Sequence, residues 1–94
     1  MKLIFCGECC DIVALRSWPR ACGCGRSYGR YVDDLNAVYG GEAVPLGISN
    51  PSFAKALHRQ PAEGLGCRFE AFVIPSTCDT MRKIDATEWT TKHA

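Results

Sequence analysis

Apolar residues along this chain recur in short runs separated by glycine, proline and aspartate. Runs of this length, rich in β-branched and aromatic residues and bounded by turn formers, predict strands. Residues 3–5 (Leu-Ile-Phe) and 11–16 (Asp-Ile-Val-Ala-Leu-Arg) predict the first two. Trp18-Pro19 predicts a turn, because proline holds the preceding residue extended. Residues 28–32 and 35–39 predict a hairpin around Asp33-Asp34. Residues 43–48 are extended, and Pro45 within them suggests an edge strand or a bulge.

The period changes once. From Ser49-Asn50-Pro51 onward, Phe53, Ala54, Ala56 and Leu57 fall at helical spacing. Asn50 suits an N-cap and Pro51 the first helical position, where no amide hydrogen is required. Pro61 stops the run. Residues 68–74 (Arg-Phe-Glu-Ala-Phe-Val-Ile) form the strongest strand pattern. Both of its faces are apolar, which predicts a central strand covered by the helix. Residues 81–84 predict a last strand, and polar residues 87–94 a frayed tail. The expected fold is therefore small, β-rich α+β. It has an N-terminal zinc-ribbon-like hairpin over residues 1–32, then an antiparallel sheet with one helix over 33–86.

Ninety-four residues make one domain, and a core this small often needs a staple. Seven cysteines supply a candidate. Residues 1–5 are too short for the apolar part of a signal peptide, and no apolar run could span a membrane. A cytoplasmic location follows as the expectation, and there cysteines serve as metal ligands rather than disulfides. The odd count agrees, since seven cannot all pair within the chain.

The spacing Cys6-x2-Cys9-x12-Cys22-x-Cys24 predicts two knuckles sharing one tetrahedral ion. Structural Zn2+ is the favoured reading. Iron would use the same ligands, and Cys6-Gly7-Glu8-Cys9 alone could be a redox pair. Cys10 competes with Cys9 for the ligand position. Four thiolates would leave no open coordination site, which favours structure over catalysis. The formal charge of +1 becomes about −1 with zinc and four thiolates, a poor balance for nonspecific nucleic-acid binding. Positive charge nonetheless gathers near the cysteines: residues 1–30 hold Lys2, Arg16, Arg20, Arg26 and Arg30 against Glu8 and Asp11.

Gly25-Arg26-Ser27-Tyr28-Gly29-Arg30-Tyr31 combines planar cations, a hydroxyl and aromatic rings. Arginine forks suit phosphate or carboxylate, and tyrosine rings stack on planar groups. Ser49 and Asn50 precede a helix N-terminus, which favours anions. The candidate ligand site is thus Arg26, Ser27, Tyr28, Arg30, Tyr31, Ser49 and Asn50. The plainer account is packed tyrosines, solvated arginines and an ordinary cap. Neither His58 nor any serine, cysteine or carboxylate shows a catalytic partner at motif spacing, so no enzyme is expected.

Taken together, Cys-x-x-Cys, residues 11–15, Cys22-x-Cys24-Gly25-Arg26-Ser27-x-Gly29-x-Tyr31, residues 44–50 and residues 69–75 resemble a group of small uncharacterised zinc-ribbon-like proteins of phages and bacteria. The resemblance spans nearly the whole chain and implies no established activity. A phage origin would point toward a protein that disarms host defence, for example by sequestering a host immune signalling nucleotide. The leading expectation is a non-enzymatic binder of a small anionic, nucleotide-like ligand. The alternative is an adaptor for a host protein or, less favoured by charge, nucleic acid. Short edge strands make a homodimer plausible.

Overall fold

A computed structural model describes residues 1–93, with side chains through Trp89. Eight strands form two four-stranded sheets. The first sheet runs β2-β1-β6-β7, from Ile12–Ala14, Lys2–Cys6, Ala43–Ile48 and Ala71–Val73. The second runs β3-β4-β5-β8, from Arg20–Ala21, Ser27–Tyr31, Ala37–Gly41 and Met81–Lys83. The fold is β-rich α+β, as the pattern predicts. All pairs are antiparallel except β5 with β8, which makes the second sheet mixed.

The ribbon segment does not stand apart from the rest. Strands β1 and β2 belong to one sheet with β6 and β7, while β3 and β4 belong to the other with β5 and β8. The two halves of the cysteine motif therefore hang from different sheets. Between the sheets lies the core, with Ile4, Cys6, Val13, Leu15, Ala37, Tyr39, Ala43, Ile74 and Met81 buried. At the end away from the cysteines, Lys2 Nζ donates to the carbonyl oxygens of Leu35 and Thr80, tying β1 to the second sheet.

Pleating sends successive side chains to opposite faces, so register fixes which residues share a face. In the first sheet the inward set runs Val13, Ile4, Pro45 across the strands, with Ile74 beyond β7. The outward set comes from the alternate rungs. Ala14 pairs with Leu3, Leu3 with Leu46 and Leu46 with Val73; Ile12 pairs with Phe5 and Phe5 with Val44; Ile48 pairs with Ala71. Every member of that outward set is apolar.

Several expectations change. Strand β6 is interior, not an edge, despite Pro45. The Pro45 carbonyl accepts from the Ile74 amide at 2.9 Å, so its missing N–H faces the same neighbour, where β7 has just ended at Val73. The run at 68–74 yields only β7, three exposed residues at the sheet edge rather than a covered central strand. The helix α1 (Asn50–His58) buries none of its residues and so covers no strand. Its N-cap is Ser49, whose side chain makes no capping bond. Asn50 Oδ1 instead accepts from the Met1 ammonium at 2.6 Å. The polar tail also differs, since Ala86–His93 form a helix, α2, with the Trp89 ring 4.7 Å from that of Tyr28. Ala94 lies outside the described residues.

The Asp33 turn forms as the sequence implies. Asp33 Oδ1 accepts from the amides of Leu35 and Asn36, at 2.8 and 2.7 Å, an Asx turn that closes the β4–β5 hairpin. Among the described residues no helix is long and apolar enough to cross a membrane.

Candidate metal centre

The four cysteines come from two hairpin tips. Cys6 ends β1 and Cys9 sits in the turn toward β2, whereas Cys22 and Cys24 sit in the turn between β3 and β4. Their sulfurs all lie within 4.8 Å of one another. The Cys22–Cys24 separation is 3.5 Å and the Cys6–Cys24 separation 3.7 Å. Tetrahedral zinc with bonds of about 2.3 Å needs sulfurs about 3.8 Å apart, so the donor set fits the ion. These distances are far beyond a disulfide bond, and all seven cysteines are free. Cys9, and not Cys10, is the cysteine that joins the cluster.

The two tips share one local geometry. The residue after each second cysteine is left-handed, Cys10 at φ 59° and Gly25 at φ 78°. The amide of each folds back into its own tip, Cys10 N donating to Cys6 O at 2.8 Å and Gly25 N to Cys22 O at 3.0 Å. Glycine adopts this conformation freely and cysteine does not. Two contacts then cross between the tips. Asp11 Oδ2 accepts from the Gly23 amide at 2.9 Å, and Glu8 pairs with Arg26 at 3.4 Å. Asp11 was legible in the sequence only as the start of a strand. Its partner lies twelve residues away, where no local pattern points.

The surroundings favour thiolates unevenly. Burial works against the charge on Cys22. The Ser27 amide, 3.3 Å from its sulfur, and the thiols of Cys24 and Cys6 outweigh that and lower its pKa to about 6. At Cys24 the Arg26 amide favours the thiolate, but burial and the neighbouring sulfurs prevail and raise it to about 12. Cys6 is lowered, first by the Ser27 hydroxyl and then by the Cys9 amide. The crowded sulfurs thus titrate as a coupled set, and a divalent cation would replace their protons.

The residues predicted to meet a ligand are dispersed by the pleat of β4. Ser27 is fully buried beside the cysteines, and its hydroxyl makes no ordinary hydrogen bond. Tyr28 is buried against Trp89. Arg30 is half-buried, donating to Ser17 O at 2.6 Å and Tyr31 O at 3.1 Å. The Tyr31 hydroxyl accepts from the Lys2 amide at 3.0 Å. Ser49 and Asn50 lie at the far end of β6, where Asn50 holds the N-terminus. Arg26 remains, 66% exposed beside the metal tips.

Fold and site together define a class: a small two-sheet α+β protein with a four-cysteine centre able to hold a metal ion. No protein family, curated protein or solved structure matches the chain. The likeness to small zinc-ribbon-like proteins therefore rests on the sequence motifs alone.

Proposed function

We propose that this is a non-enzymatic binding protein in which zinc, held by Cys6, Cys9, Cys22 and Cys24, locks the two sheets together. The observation that carries the reading is the convergence of two hairpin tips, one from each sheet, into a single four-sulfur cluster. Four thiolates complete a tetrahedron and leave no place for water or substrate, which is the mark of a structural site. Zinc suits this donor set, and the thiolate charge reduces what Lewis acidity it retains.

The ligand is a small anion of nucleotide type, bound at Arg26 beside the centre. What supports this is an exposed guanidinium with one ion pair, next to a glycine whose missing Cβ leaves open space. A charge-assisted fork on a phosphate contributes about 1.5–3 kcal/mol, or roughly tenfold or more in affinity. Calorimetric titration of the zinc-loaded protein with linear and cyclic nucleotides should therefore detect binding. Arg26→Ala should weaken it about tenfold without loss of zinc. If no nucleotide binds, the anion reading is wrong while the zinc reading stands. Capture of a protein or nucleic acid through the same arginine would favour the adaptor alternative.

A further inference from the structure

The outward face of the first sheet is an unusual surface for a small protein. Its nine register positions are Leu3, Phe5, Ile12, Ala14, Val44, Leu46, Ile48, Ala71 and Val73. A sheet that faces water normally alternates apolar with polar residues, so a wholly apolar outer face reads as a covered one. Nothing within the described residues covers it. Helix α1, which follows β6 directly, buries no side chain. Ile12 is 57% and Val73 65% exposed. A shallow depression of about 320 Å³ lies on this face, lined by Leu3, Leu46, Ile48 and Val73 among others.

We infer that this face packs against the same face of a second copy of the chain, forming a twofold dimer of stacked sheets. Two features select that occupant. The first is charge. A twofold interface sets each surface against itself, so any charged residue near its centre meets its own like charge. This face carries none. An acidic or basic partner would find nothing here to pair with. The second is size. Strands of three, five, six and three residues about 4.8 Å apart project a footprint of roughly 270 Å². Side-chain relief raises the accessible area to on the order of 500 Å², so two faces bury about 1,000 Å². That reaches the lower bound for a specific interface, the size class of weak association. Sheets stacked this way sit about 10 Å apart with strands within about 30° of aligned. Both metal centres stay outside the interface, since their sulfurs belong to the inward face and the hairpin tips.

Sedimentation of the zinc-loaded protein across the micromolar range tests this. The mass should rise toward twice the 10.3 kDa of the chain. Ile12→Glu and Val73→Glu alter exposed positions on the face. Each should shift dimerisation at least tenfold upward in concentration while keeping zinc and the circular dichroism of the parent. Leu65→Glu, 96% exposed and away from the sheet, should leave it unchanged. Should a variant fail to fold, hydroxyl-radical footprinting of the parent reads the same interface. Ile12, Val44 and Val73 should become protected as concentration rises, and Leu65 should not. A monomer throughout the high-micromolar range, a dimer that survives both glutamates, or protection confined to other residues would overturn the inference. So would a monomer that binds phosphatidylcholine–phosphatidylglycerol vesicles through this face.

Discussion

Single residues decide whether the two hairpin tips can meet. Gly25 turns one tip at φ 78° without strain, and Cys10 must do the same at φ 59° with a side chain in place. The left-handed region costs a non-glycine residue about 1–2 kcal/mol, and glycine's extra freedom in the unfolded chain returns about 0.5–1 kcal/mol of that. Cys10→Gly is therefore expected to raise the melting temperature modestly and leave one zinc per chain, because Cys10 lies outside the four-sulfur cluster. Loss of zinc in that variant, measured by elemental analysis, would mean that the ligand assignment is wrong. The four clustered cysteines were legible in the sequence, because each pair is set by its own short turn. Asp11 and Ser27 were not legible in their roles. Asp11 receives an amide from the other tip, and Ser27 lies buried behind the cysteines, so both depend on contacts between sheets.

Elements were readable where the chain closes on itself nearby. The β4–β5 hairpin follows from its Asx turn, and this makes Asp33 a local reporter of stability. The Asn36 side chain, and then the amides of Asn36 and Leu35, hold its carboxyl below the ordinary value. A depressed folded pKa stabilises above the unfolded value of about 3.9 and is lost as pH falls through the folded one. Acid unfolding of the parent should therefore include a step below about pH 4 that Asp33→Ala lacks. The variant should also melt lower at neutral pH. Equal melting at both pH values would refute the role. Elements were misread where apolar residues had two destinations. The run at 68–74 has the composition of a covered central strand, yet it arrives last at its sheet and takes the free edge beside β6. Its alternate residues join an outer face that the described residues leave bare. The stripe of α1 has the spacing of a core-facing surface. In the structure it forms a local contact instead, Phe53 meeting Phe69 edge-on at 4.8 Å.

At the scale of the whole molecule, two small sheets share one modest core, and the cysteine cluster joins them at one end. The N-terminal pattern made the cluster predictable. It could not show that the halves of the ribbon would be divided between sheets, because that depends on where β5 to β8 return. This division would give a bound ion its leverage: it would link residues of one sheet to residues of the other and so restrain the sandwich as a unit. Binding free energy at such a site is folding free energy, since the unfolded chain does not preform it. The account stands on the identity and coordination of that ion. X-ray absorption at the zinc and iron edges, on protein purified without added metal, reads both at once. The predicted result is one zinc per chain with four sulfurs at about 2.3 Å. A centre holding iron, no metal, or fewer than four sulfurs with oxygen or nitrogen in their place would contradict it.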